Sequence, residues 1–150
     1  MQRVLNIASH VVHGHVGNCS TTFPLQLHGF EVNCINSVQF SNHTGYKNGV
    51  KGQVLSGEDL TNLIDGMDNN GLLEGINYIL TGYIGSETFL QTIASVIKRV
   101  KQQSPEVKYV CDPVLGDDGK FYNKPELVPL FVEHILPMAE MVTPNLFEAE

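Results

Sequence analysis

Basic side chains are scarce in this chain, with 9 Lys and Arg against 16 Asp and Glu and a formal net charge of −7 over 150 residues. A nucleic-acid binder needs clustered cations to displace counterions, so this balance argues against that class. Long apolar runs are also missing. None approaches the ~20 residues a membrane-spanning helix needs, so no membrane partner is expected. The opening stretch Arg3-Val4-Leu5-Asn6-Ile7-Ala8-Ser9 is too short and too interrupted for the apolar core of a signal peptide. The cysteines, Cys19, Cys34 and Cys111, are odd in number and have no Cys-x-x-Cys spacing. That disfavours a disulfide framework, fits a reducing cytoplasm, and reads them as small apolar fillers. No repeat, low-complexity tract or Pro/Gly/Ser-rich linker divides the sequence. What is present is 42% hydrophobic residues. That suffices for one domain, which at this size buries roughly 68–70% of its unfolded surface.

Short β-branched runs alternate with longer amphipathic ones, the pattern of a parallel sheet covered by helices. Strands are expected at Val4–Ser9, Glu31–Ser37, Tyr78–Gly82, Val107–Cys111 and Met141–Thr143. Ser56 with Asp59 three residues on reads as a capping box, and Leu60, Leu63, Ile64 and Met67 behind it share a face. Ser86 reads as the next helix cap, followed by the stripe Phe89, Ile93, Val96, Ile97 and Val100. Sheets of this kind bind ligands at the carboxyl ends of their strands. That nominates Ser9 and His10, the residues from Ser37 onward, Thr81-Gly82-Tyr83, Asp112 to Asp117, and Thr143-Pro144-Asn145.

The richest of these stretches is Asp112-Pro113-Val114-Leu115-Gly116-Asp117. Two carboxylates five positions apart, on a loop bent by Pro113 and Gly116, can hold Mg²⁺ and organise phosphates. The same residues can also form an ordinary Asp-Pro turn. In Thr143-Pro144-Asn145-Leu146-Phe147-Glu148, Asn145 can cap a helix, and Glu148 either holds a metal-bound water or complements the helix dipole. His43 and Thr44 in the polar loop Ser41 to Tyr46 offer hydrogen bonds beside an apolar wall of Val38 and Phe40, and Gly45 permits an unusual backbone angle. Tyr83 can stack on a flat heterocycle or form a half-buried rim. His10, His13 and His15 lack the further ligand a zinc site needs, and Gly14 and Gly17 read as a flexible loop that a ligand approaches.

In order along the chain, Ser9 to Asn18, Asn36 to Tyr46, Leu80 to Tyr83, Tyr109 to Asp117 and Thr143 to Glu148 resemble the N-terminal half of the pyridoxal kinases, in the ribokinase-like superfamily. The similarity runs from about Arg3 to Glu150. The first two segments are particular to pyridoxal kinases, whereas the Asp-Pro-Val and Thr-Pro-Asn pieces also occur in hydroxymethylpyrimidine kinases. The resemblance implies an α/β ribokinase-like fold, a mostly parallel sheet with helices on both faces. It implies ATP-dependent phosphorylation of the 5′-hydroxymethyl group of pyridoxal, pyridoxine and pyridoxamine. Carried over, Ser9 and Thr44 hydrogen-bond the substrate, with His43 beside them. Tyr83 stacks on the ring, and Val16, Val38 and Phe40 are apolar contacts. Asp112 and Asn145 serve ATP. Asp112, Asp117 and, through water, Glu148 serve Mg²⁺. Thr143 and Asp112 lie near a monovalent cation, K⁺ or Na⁺. Gly116 to Lys124 is the flap that closes over the site, and full-length relatives are homodimers.

The family's Gly-Thr-Gly-Asp signature, whose Asp is the general base, has no counterpart here. Residues 1–150 are therefore expected to be the N-terminal part of a single domain, truncated after about half the fold, with an unpaired sheet edge and a bare apolar face. A positioned base is worth roughly 10²–10⁴-fold and anion-stabilising donors on the order of 10²–10³-fold, so the chain alone is expected to be nearly inactive. Two other readings stand beside this one: a hydroxymethylpyrimidine kinase, and a catalytically dead product that binds ligand.

Overall fold

A computed structural model describes residues 1–150. The elements are β1 (Gln2–Val11), α1 (Asn18–Leu27), β2 (Phe30–Phe40), β3 (Gly52–Val54), α2 (Gly57–Asn69), β4 (Ile76–Thr81) and α3 (Glu87–Gln103). They continue with β5 (Lys108–Cys111), β6 (Gly116–Asp117), β7 (Lys120–Phe121), α4 (Leu127–Leu130), β8 (Met141–Val142) and α5 (Leu146–Ala149). Helical turns carry α4 on through Phe131–Ile135 and Leu136–Met138.

Six strands form one sheet in the order β3-β2-β1-β4-β5-β8, and every neighbouring pair is parallel except β2 with β3. The chain steps outward from β1 to β2 on one side and through β4, β5 and β8 on the other. The order therefore reverses between β1 and β4, where open α/β sheets leave a crevice for ligands.

Strand alternation sets the two faces. Leu5, Ile7, Ile79 and Tyr109 join Leu60, Ile64, Phe89, Ile93 and Ile97 of α2 and α3 in one buried cluster. Asn6 points to the other face, where its Nδ2 donates to Thr21 Oγ1 of α1 at 2.6 Å. Helices thus lie on both faces, as the sequence pattern implies. Ser56 and Asp59 form a reciprocal capping box at α2, and the Ser86 hydroxyl accepts from the Phe89 amide at α3. Arg99 of α3 pairs with Asp65 and Asp68 of α2 and locks the two helices together.

The structure differs from the sequence reading in several places. β1 and β2 run past Ser9 and Ser37 to Val11 and Phe40, and their pairing continues through Val12 N–H to Phe40 O at 2.9 Å. A register shift between Ala8 and His10 carries the ladder across the polar residues that resemble a strand end. Leu63 lies exposed, outside the buried stripe of Leu60 and Ile64. Of the cysteines only Cys111 is buried; Cys34 is exposed, and Cys19 lies 3.3 Å from His10 Nδ1. At the β8 edge Met141 is 58% exposed, and Leu146 just beyond it is 78% exposed.

Candidate active site

The carboxyl ends of β1, β2 and β4 open into one cavity of about 710 Å³. Pockets for small ligands run to roughly 300–1,000 Å³, mostly apolar with a few placed polar groups. Val11, Val16, Val38, Phe40, Leu80 and Val114 supply apolar walls, and Ser9, His43, Thr44 and Tyr83 supply polar groups. Seven residues named from the sequence (Ser9, Val16, Val38, Phe40, His43, Thr44 and Tyr83) line this one space although they span much of the chain. Local geometry explains the convergence. Gly17, at φ 52°, packs so tightly on Ser9 that a Cβ there would stand 2.2 Å from the Ser9 carbonyl oxygen. The Ser37 hydroxyl, fully buried, donates to the Tyr83 carbonyl oxygen at 2.5 Å and so fixes the backbone that carries the ring. Burial pushes the Tyr83 phenol above its usual range.

Asp112 is the only carboxylate lining the cavity, and Lys120 the only lysine or arginine. The Asp112 amide donates to Thr81 O at 2.9 Å, which aims the residue off the end of β5. Half-burial, helped by the nearby charge of Glu148, raises its carboxyl to about 6. A carboxylate held at such cost invites a cation. Mg²⁺ is commonly held by one or two carboxylates together with waters and phosphate oxygens, so Asp112 with Glu148 close by fits that ion.

The remaining metal-assigned residues sit differently. Asp117 is exposed on the β6–β7 hairpin outside the cavity lining, and its carboxylate accepts from the Asp118 amide at 2.8 Å. Asp118 and Gly119 both have positive φ, which makes a two-residue type I′ connection that pairs Asp117 with Lys120, and Lys120, Phe121 and Tyr122 line the cavity. Glu148 accepts from the Leu115 amide at 2.8 Å and the Asn145 amide at 3.1 Å, completing a capping box on α5. Asn145 Nδ2 donates to Gly116 O at 2.8 Å. These two residues therefore anchor the base of the hairpin. Thr143 is exposed outside the cavity, and its amide donates to Cys111 O at 3.0 Å. No three His, Cys, Asp or Glu side chains converge anywhere to hold a metal by themselves, the His10, His13 and His15 group included.

Sequence reasoning missed the part played by Gly17 and Asn18. The segment read as a flexible loop is a tight turn into α1. The buried Asn18 amide reaches Ala8 O at 3.1 Å, Ile35 O at 3.0 Å and Asn36 Oδ1 at 2.7 Å, tying β1 to β2 beneath the cavity. Its one sequence signal is an Asn directly after a Gly.

A reversal of strand order beside a ligand-sized cavity, with a hairpin from the next strand end at its rim, marks an open α/β protein that takes a ligand at its switch point. The chain belongs to the phosphomethylpyrimidine kinase family, whose model matches residues 27–150. It is 56% identical over 148 residues to a pyridoxal kinase of Arabidopsis thaliana, covering 99% of this chain and 47% of that one. It is 48% identical over 152 residues to the human pyridoxal kinase, covering 99% and 48%. A solved pyridoxal kinase from Leishmania donovani, in complex with ADP and pyridoxamine, superposes with a TM-score of 0.93 at 42% identity, covering 98% of this chain and 52% of that one. The chain thus spans about half the length of the curated relatives it matches.

Proposed function

We propose that this chain carries the vitamin-recognition side of an ATP-dependent pyridoxal kinase, which moves the γ-phosphoryl group of ATP to the 5′-hydroxymethyl group of pyridoxal, pyridoxine or pyridoxamine. The observation that carries the reading is the single cavity that joins Ser9, Thr44 and Tyr83 to Asp112. Ser9 and Thr44 hydrogen-bond the polar edge of the pyridine, with His43 beside them. Tyr83 lies against the ring, and Val16, Val38 and Phe40 exclude water from its faces. Orientation of this kind supplies much of the catalytic advantage in phosphoryl transfer. Asp112 takes the Mg²⁺ that accompanies ATP, with Glu148 acting through water; bound there, the ion neutralises phosphate charge. Asn145 contacts the nucleotide. Thr143 and Asp112 lie near a monovalent cation, K⁺ or Na⁺. Asp117, on the hairpin, approaches Mg²⁺–ATP only if the hairpin moves inward. Closure of the hairpin shields the transferring group from water. In the pyridoxal kinases the proton-accepting aspartate and the glycine-rich anion site belong to a Gly-Thr-Gly-Asp segment, which residues 1–150 do not contain. The resemblance carries with it a homodimer and a cytoplasmic location.

The description of the family model favours one competing reading, a hydroxymethylpyrimidine kinase. A coupled assay on a form extended to the length of the relatives separates the two. The expected result is Mg²⁺-dependent turnover of pyridoxal at least about tenfold more efficient than that of hydroxymethylpyrimidine, the scale one or two well-placed contacts give. Preferential turnover of the pyrimidine would transfer the assignment to that activity. Calorimetry on the 150-residue chain addresses the binding-only reading, which requires pyridoxal to bind without turnover in either form.

A further inference from the structure

We infer that Lys120 is the polyphosphate-positioning cation of this site, a role that rests on the kinase reading above and deepens it. The cavity holds one lysine or arginine, and it is Lys120. No acidic group is paired with it: the ion pairs of the molecule involve Arg3, Arg99, Lys101 and His134. Asp117, its cross-strand neighbour in the hairpin, turns its carboxylate onto the Asp118 amide instead. The ammonium is therefore left for a ligand. Its backbone is also held in place. The two-residue turn fixes the register, and Asn145 and Glu148 bond Gly116 O and the Leu115 amide at the foot of the hairpin. The Tyr122 amide donates to Leu115 O at 2.8 Å, and the Phe121 ring packs edge-on against Phe147, with centroids 5.1 Å apart.

The ligand chemistry follows from the charges. A pyridine vitamer offers a lysine no dense anion, whereas the phosphate chain of a nucleoside triphosphate offers several. Lysine is a compact point charge with three donors, well suited to phosphate oxygens. In a chain of net charge −7, a lone cation in the cavity wall offsets the repulsion that an approaching polyanion meets.

The test uses the 150-residue chain with inorganic tripolyphosphate plus Mg²⁺ and, separately, pyridoxal as probes, read by calorimetry. Lys120→Met is expected to weaken tripolyphosphate binding about tenfold, the scale of a charge-assisted contact. The tripolyphosphate loss should exceed any change in the pyridoxal dissociation constant, since Lys120 also lines the vitamin cavity, and Lys120→Arg should restore most of the tripolyphosphate affinity. Pyridoxal binding doubles as the check that each variant is folded. Equal tripolyphosphate affinity in wild type and Lys120→Met overturns the inference and leaves the kinase reading standing. Loss of pyridoxal rather than tripolyphosphate in Lys120→Met also overturns it, and assigns the lysine to the vitamer. A wild-type chain that holds neither probe removes both readings.

Discussion

A Gly17→Ala chain is expected to lose about 2–6 kcal/mol of folding stability, the sum of a strained backbone and an overpacked contact. At φ 52° and ψ −126° Gly17 occupies a backbone region that only glycine adopts freely. The added methyl would also stand 2.2 Å from Ser9 O and 2.3 Å from Ser9 Oγ. Neither atom can retreat easily. Ser9 sits at the register shift between Ala8 and His10, and both of those flanking residues are held in the β1–β2 ladder. For a domain of this size each kcal/mol moves the melting temperature by roughly 2–4 °C, so a fall of about 5–20 °C is expected. The strain falls on Ser9, so pyridoxal affinity should drop with it. Gly66→Ala in α2 is the control, because a methyl group there would meet nothing within 4 Å and the substitution should be neutral or slightly stabilising. Equal melting temperatures for the Gly17 variant and wild type would refute the Gly17–Ser9 clamp.

Asp112→Asn is expected to cut Mg²⁺–ATP-dependent turnover of a full-length form on the order of 10²-fold or more, the loss typical when one preorganised charge contact is removed. The same change should stabilise the metal-free chain near neutral pH. The folded carboxyl titrates at about 6, above its usual 3.8, so the folded state holds the proton more tightly than the unfolded one. Its stabilising contribution is therefore complete below pH about 4 and disappears as pH rises through about 6. Two pH units correspond to roughly 3 kcal/mol, and partial exposure screens this to about 1–2 kcal/mol. Thermal melts without divalent ions should thus show Asp112→Asn more stable than wild type at pH 7.5 and equal to it at pH 3.5. Added Mg²⁺ with tripolyphosphate should narrow the gap by stabilising wild type alone. A variant less stable than wild type at pH 7.5 would mean that Asp112 is a structural residue rather than a cation holder. Stability surrendered for a ligand-facing charge is common at functional sites.

Much of this arrangement is legible in the residues themselves. The β-branched runs locate five strands, and the pairs Ser56/Asp59 and Ser86/Phe89 mark two helix starts through cap chemistry that is local to the sequence. The helix α1 is illegible for equally local reasons. Its cap is a glycine without a side chain, Pro24 interrupts it, and what fixes its start is the tertiary bonding of Asn18. β3, three exposed residues, carries no hydrophobic pattern to read. At the site, the strand-end rule nominates Ser9, Thr44, Tyr83 and Asp112, and all four line one cavity. At the hairpin the rule is silent on Lys120, Phe121 and Tyr122, which reach the cavity lining because the turn at Asp118 and Gly119 folds the chain back. Ser37 looks available to a ligand in the sequence and is instead consumed by the Tyr83 carbonyl.

Titration of the isotope-labelled 150-residue chain with pyridoxal, followed by amide chemical shifts, puts the switch-point cavity most directly at risk. Saturable shifts are expected at Ser9, Val38, Thr44 and Tyr83, with Leu63 and Arg99 on the far helices unmoved. Shifts confined to α2 and α3, or none at millimolar pyridoxal, would contradict a vitamin site between β1 and β4.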